Sequence, residues 1–214
     1  MERSKLAIVI PAFNEASTIK DVILNAQTYG DVIVIDDAST DLTYDISTKS
    51  GALVLKNSKN LGYDKSLSKG FEKASFLDYE FILTMDADGQ HNFNLIPDFI
   101  FFLEKGYDVV AGFRQKHQRF SEYLFTIYSN KFYKIQDPLC GMKAYNNSLY
   151  RELGHFDSYG SIGTELLFFA LRNNKAVKQI QCKVKARVDE PRFGQIIFSN
   201  LRILRAIILT MIKV

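Results

Sequence analysis

Hydrophobic residues in the first half of the chain alternate between short continuous runs and stripes of helical spacing. Leu6 to Ile10, Asp31 to Ile35, Ala52 to Leu55, Phe81 to Met85 and Val109 to Ala111 read as short strands. Between them, Ser17 to Tyr29 carries Ile19, Val22, Ile23 and Ala26 on one helical face, and Leu42 to Ser50 is a helix closed by Gly51. Lys65 to Phe76 forms a third helix, and Ile96, Phe99, Ile100 and Leu103 mark a fourth that ends at Gly106. This repetition predicts an α/β fold with a mostly parallel central sheet flanked by helices. Ligands of such sheets bind at the carboxyl ends of the strands.

Beyond Arg114 the alternation stops. Arg119 to Ile135 is aromatic-rich and helical, Thr164 to Asn173 is a short helix, and Lys178 to Val188 alternates like a strand. From Ile196 to Val214, Ile197, Leu201, Leu204, Ile208 and Met211 fall on one stripe, with Arg202, Arg205 and Lys213 to one side. A membrane span needs roughly 20 largely uncharged apolar residues, which this segment lacks. It is an interfacial helix or one docked on the core. The predicted organisation is a domain over residues 1–195, with halves divided near 114, followed by an amphipathic helix over 196–214.

A chain of 214 residues is long enough for one domain with a substantial core. The net charge of +3, without a run of Lys and Arg, argues against a nucleic-acid partner. Cys140 and Cys182 lack metal-type spacing and read as reduced packing residues. Met1 to Lys5 leads straight into a short strand without the pattern of a secretory signal, so a cytoplasmic location is expected. Asn146-Asn147-Ser148 matches the glycosylation triplet, which carries little weight without a secretory context.

The chemistry gathers at the strand ends. The fourth strand stops at Asp86-Ala87-Asp88-Gly89-Gln90-His91, and carboxylates two residues apart on extended chain project to one side. Oxygen ligands of this kind suit Mg²⁺ or Mn²⁺, usually completed by water and substrate phosphate. The first strand ends in Pro11-Ala12-Phe13-Asn14-Glu15 and the second in Asp36-Asp37-Ala38-Ser39-Thr40-Asp41. Carboxylates here accept hydrogen bonds from a base or ribose, and Ser39, Thr40 or Asp41 equally suits a helix N-cap.

Taken in order with Asn60-Leu61-Gly62 and Gly70, these motifs resemble the family 2 glycosyltransferases of the GT-A fold over residues 6 to 114. The resemblance implies a nucleotide-diphospho-sugar donor. Pro11, Phe13 and Glu15 would line the nucleoside pocket, Asp37 would contact the base, and Lys65 would lie in the segment close to the donor. Asp86, Asp88 and Gln90 would form the metal and diphosphate site, with Asp88 as the direct ligand, while His91 is either part of it or a turn residue.

Ala111-Gly112-Phe113-Arg114, Arg119, Asp137-Pro138-Leu139-Cys140-Gly141-Met142-Lys143-Ala144-Tyr145 and Glu190-Pro191-Arg192-Phe193-Gly194 are similar to stations of the dolichyl-phosphate mannosyltransferase and polyprenyl-phosphate glycosyltransferase subgroup. That likeness makes Arg114, Arg119 and Arg192 the acceptor-phosphate residues and implies peripheral contact with the cytosolic face of a membrane. The chain departs from the subgroup where Gln195-Ile196-Ile197 follows Gly194, which keeps a sugar hydroxyl acceptor open. A hydroxyl needs a general base, for which Asp137 and then Glu165 are the candidates. A non-catalytic nucleotide-sugar binding module is the lower alternative. A nucleotidyltransferase or dinucleotide dehydrogenase is disfavoured, since no glycine-rich phosphate loop follows the first strand.

Overall fold

The computed structural model describes residues 4–115, 119–183 and 196–213. Its strands are β1 (Leu6–Ala12), β2 (Asp31–Asp36), β3 (Leu53–Lys56), β4 (Phe81–Thr84), β5 (Val109–Phe113), β6 (Lys143–Asn146) and β7 (Val177–Gln181). They form one sheet in the order β3-β2-β1-β4-β6-β5-β7. All neighbours are parallel except β6, which runs antiparallel to both β4 and β5. The mostly parallel sheet is therefore as expected, with one reversed strand that hydrophobic periodicity did not disclose. Of the strand expected over Lys178 to Val188, residues 178–181 belong to β7, Cys182 and Lys183 lie beyond its end, and residues 184–195 lie outside the described residues.

The helices are α1 (Ile19–Ala26), α2 (Thr43–Lys49), α3 (Tyr63–Phe76), α4 (Ile96–Glu104), α5 (Phe120–Tyr133), α6 (Asn147–Leu153), α7 (Glu165–Arg172) and α8 (Ile196–Lys213). Each predicted helix forms, because its apolar stripe has a sheet face or another helix to cover. On α1, Ile19, Val22, Ile23 and Ala26 are all buried, as their spacing requires. Leu6, Ile8 and Ile10 of β1 pack with the stripes of α1 and α4. Ala7 and Val9 point the other way, into a cluster with Leu67 and Phe71 of α3 and Leu166 and Leu167 of α7. The alternation along β1 thus supplies two cores, one on each face of the sheet.

A third cluster joins Phe125 of α5, Phe168 of α7, and Ile203 and Ile207 of α8. The Phe125 and Phe168 rings stack with centroids 5.7 Å apart. Helix α8 turns inward through Ile203, Ala206, Ile207 and Thr210, leaving Leu201, Leu204, Ile208 and Met211 exposed. It is therefore docked on the core, and by a different stripe from the one that its sequence makes conspicuous. Among the described residues no helix is long and apolar enough to cross a membrane.

The triplet at Asn146 has a structural use. Asn146 Oδ1 accepts from Ser148 N at 3.0 Å and from Ser148 Oγ at 2.8 Å, capping α6 immediately after β6.

Candidate functional site

The loops that leave β1 and β2 are stitched together by side chains bonding to backbone. Asn14 N donates to Ser39 Oγ at 2.9 Å, and Thr40 N donates to Asn14 Oδ1 at 2.8 Å. Glu15 N donates to Thr43 Oγ1 at 2.7 Å, and Ala16 N to Asp41 Oδ2 at 3.1 Å. Asp41 also accepts from Thr43 N at 2.9 Å, so it serves the start of α2. Asn14 and Ala38 hold positive φ, a conformation that this cross-linking maintains.

Asp37 binds a third loop to the same corner. Its Oδ1 accepts from Asn57 Nδ2 and Leu61 N, and its Oδ2 from Gly62 N, each at 2.8 Å. A carboxylate has about four acceptor positions, so three are already used within the protein. Gly62 has φ +87° as it enters α3, a left-handed geometry that glycine adopts without strain.

The acidic segment lies beyond the end of β4. The strand stops at Thr84, so Asp86 and Asp88 sit in the loop, and both face the cavity. Asp86 Oδ2 lies 3.0 Å from His91 Nε2, and Asp86 Oδ1 lies 3.4 Å from the Tyr63 hydroxyl. His91 is buried. Burial opposes charging its ring, but the hydrogen bond to Asp86 and that residue's charge outweigh it and raise the imidazole to about 9. Burial likewise opposes ionising Asp86; His91, then Arg114 and Lys143, more than offset it and lower its pKa. His91 is thus the buried cationic partner of Asp86, which a turn-residue reading does not capture.

The unforeseen strand β6 completes this corner. Thr84 Oγ1 donates to Gly141 O at 2.6 Å, and Lys143 N donates to Thr84 Oγ1 at 3.2 Å. This brings Gly141 so close to Asp86 that a Cβ there would fall 2.3 Å from Oδ2. Only a residue without a side chain leaves that carboxylate its place.

The opposite wall comes from β5, α5 and α8. Arg114 donates to Asp137 through Nε at 2.7 Å and Nη2 at 3.1 Å, and its backbone N adds a third bond at 3.0 Å. Burial opposes ionisation of Asp137, but the arginine prevails and holds its pKa below the usual value. Arg119 Nη1 donates to Glu122 Oε1 at 2.8 Å. Arg202 and Ile203 of α8 also reach this wall.

The cavity is a half-open cleft of about 410 Å³, within the size range of small-ligand sites. Pro11, Phe13, Glu15, Asp37, Asp86, Asp88, Gln90, Arg114 and Arg119 come together around it. Lys65 is exposed and does not line it. Neither does Asp137, whose carboxylate is engaged by Arg114, nor Glu165. Glu165 accepts from Ser158 Oγ and pairs with His155, each at 2.8 Å, which makes both carboxylates fixtures of the framework. Arg192 lies outside the described residues. The sequence reading missed Tyr63, Glu122, Gly141 and Arg202. Cys140 and Cys182, read from sequence as reduced packing residues, are both free and buried, and each lies beside the other.

Among the described residues no three His, Cys, Asp or Glu side chains form a metal cluster. Asp86, Asp88 and Gln90 are nevertheless an all-oxygen donor set facing the cavity, which fits a hard cation completed by a ligand's phosphates.

The model of the family "Glycosyl transferase family 2" matches residues 7–180. An uncharacterized protein of Methanocaldococcus jannaschii is 25% identical over 201 residues, covering 86% of this chain and 82% of that protein. The dolichol-phosphate mannosyltransferase of Pyrococcus furiosus is 26% identical over 226 residues, covering 92% of this chain and 62% of the enzyme. Among solved structures, glucosyl-3-phosphoglycerate synthase from Mycobacterium tuberculosis in complex with Mn²⁺, UDP and glucosyl-3-phosphoglycerate has a TM-score of 0.76. That match is 21% identical and covers 98% of this chain and 79% of the other, a likeness of fold.

Proposed function

The chain belongs to glycosyl transferase family 2, has the GT-A fold and is a glycosyltransferase, and from that premise we propose that it moves a hexose, with inversion, from a GDP- or UDP-sugar to a polyprenyl phosphate at the cytosolic face of a membrane. The observation that carries this reading is one cavity with a carboxylate wall at the strand ends and an arginine wall opposite. Pro11, Phe13 and Glu15 receive the nucleoside, and Asp37 keeps the loop over Asn60 and Gly62 against it. Asp86, Asp88 and Gln90 would hold Mg²⁺ or Mn²⁺, as the Mn²⁺ complex of the mycobacterial enzyme suggests. Such an ion, when bound, supplies Lewis-acid neutralisation of the charge on the departing nucleoside diphosphate.

Arg114 and Arg119 receive the acceptor phosphate, since guanidinium groups match phosphate oxygens bidentately. An ionised phosphate needs little help from a base, whereas a sugar hydroxyl does. The engagement of Asp137 and Glu165 away from the cavity therefore favours the phosphate. The name of the Pyrococcus relative points the same way. On the same two helices that bring Glu122 and Arg202 to the cavity, Phe120, Tyr123 and Ile127 of α5 and Leu201, Leu204 and Ile208 of α8 are exposed. They give an apolar face suited to resting in a lipid interface next to the acceptor end.

The test is release of nucleoside diphosphate from UDP- and GDP-sugars with Mg²⁺ or Mn²⁺, with and without a short polyprenyl phosphate. Acceptor-dependent release that EDTA abolishes, with a product that extracts into organic solvent, is expected. Donor binding without release on any acceptor would instead favour a binding module. Asp88→Asn keeps the side-chain shape and removes the charge. It should lower turnover by about 10²–10³, the usual loss when one electrostatic stabiliser is removed, while the melting temperature holds.

A further inference from the structure

Four charged side chains alternate in sign along the arginine wall: Asp137, Arg114, Glu122 and Arg119. Asp137 alone already supplies Arg114 with a bidentate partner. Glu122 adds a second acidic neighbour, with Oε2 3.6 Å from Arg114 Nη2 and Oε1 2.8 Å from Arg119 Nη1. Its side chain is 4% exposed, against 17% for Arg114 and 18% for Arg119. The carboxylate is thus the shielded member between two cations that face the cavity.

Two guanidinium groups at one wall repel each other, and an anion shared between them removes that repulsion. It also fixes the orientation of the remaining N–H donors before any ligand arrives, and pre-organisation of this kind lowers the cost of binding. We infer that Glu122 is a positioning residue that joins Arg114 and Arg119 into a single clamp for the phosphate of the acceptor. The inference rests on the polyprenyl-phosphate reading and deepens it by naming the residue that builds the acceptor site.

The sign of the effect separates this role from two others. Removing a negative charge beside a phosphate site should, on Coulomb's law alone, tighten phosphate binding. If Glu122 were instead a general base for a hydroxyl acceptor, its loss would lower kcat. A clamp that loses its shared anion does neither. Acceptor KM should rise about tenfold or more in Glu122→Gln, the worth of a charge-assisted hydrogen bond.

The experiment measures steady-state transfer with saturating donor and varied short polyprenyl phosphate, in parallel with donor KM and a thermal melt. Glu122→Gln should raise acceptor KM and leave kcat and donor KM within about twofold, a pattern that marks lost ground-state binding. Glu122→Asp should recover part of the loss. Adding Glu122→Gln to Arg119→Gln should cost little more than Arg119→Gln alone, because partners in one network are not additive. This cycle also decides the matter if Glu122→Gln lowers the melting temperature. An acceptor KM that is unchanged or lower, or a collapse of kcat at constant KM, overturns the clamp while the polyprenyl-phosphate reading stands. A wild-type enzyme that transfers only to sugar hydroxyls overturns both.

Discussion

On one wall of the cavity Asp37 is held by two backbone N–H groups and an asparagine amide. On the other, Arg114 and Arg119 are held chiefly by the carboxylates of Asp137 and Glu122. A backbone donor is placed by the fold itself, whereas a counter-ion is only as well placed as its own side chain. The carboxylate wall should therefore lose stability in small steps when altered. The arginine wall should fail abruptly, since removing one member strands a buried charge.

The sharpest way to break this contrast is Asp137→Ala. It leaves the Arg114 guanidinium without its bidentate partner and should cost about 3–5 kcal/mol in urea unfolding, the usual range for half of a buried pair. A loss below 1 kcal/mol would show that Arg114 finds water instead.

The pair of His91 and Asp86 places one charge-held element at the edge of the carboxylate wall. His91 is raised to about 9 in the folded chain, from an ordinary value of 6.5. Its stabilising contribution is complete below pH 6.5 and disappears as pH rises through 9, on the order of 3 kcal/mol in all. The difference in unfolding free energy between wild type and His91→Gln should shrink over that interval. A constant difference would mean that the ring stays neutral.

Gly141→Ala tests whether the antiparallel strand shapes the acidic loop. The added methyl collides with Asp86 and should cost about 1–3 kcal/mol of stability, as overpacking does. It should reduce turnover disproportionately, because the carboxylate must move. The smallest expected effect is Ser39→Ala. One partly buried hydrogen bond to Asn14 N is lost, worth about 0.5–1.5 kcal/mol by chemical denaturation.

The carboxylate wall was legible because its residues follow directly on strands that periodicity reveals, and ordered motifs made the resemblance specific over residues 6 to 114. The arginine wall was legible in its cations but not in their connections. Nothing local to Glu122 in sequence shows that it meets Arg114, eight positions earlier across a change of element. Asp137 and Glu165 looked like available acids because sequence displays a carboxylate but not the donors that surround it. Strand β6 escaped notice because it has only four residues, begins with a buried lysine and passes directly into α6. The capping use of Asn146 was the available signal for that boundary. On α8 the conspicuous apolar stripe is the exposed one, since small and β-branched residues at Ile203, Ala206, Ile207 and Thr210 satisfy the core.

The reversed strand has a consequence for how the molecule comes into being. Because β6 stands between β4 and β5, among the described residues the β5–β7 pair joins the rest of the sheet only through residues 143–146. During synthesis the whole acidic motif leaves the ribosome well before the strand that completes its surroundings, and until then β4 presents an open edge. A truncated chain ending near residue 115 would hold every residue of the carboxylate wall and still lack Gly141 beside Asp86. Assembly of the site is thus a late event, coupled to closure of the sheet by contacts distant in sequence, which slows folding.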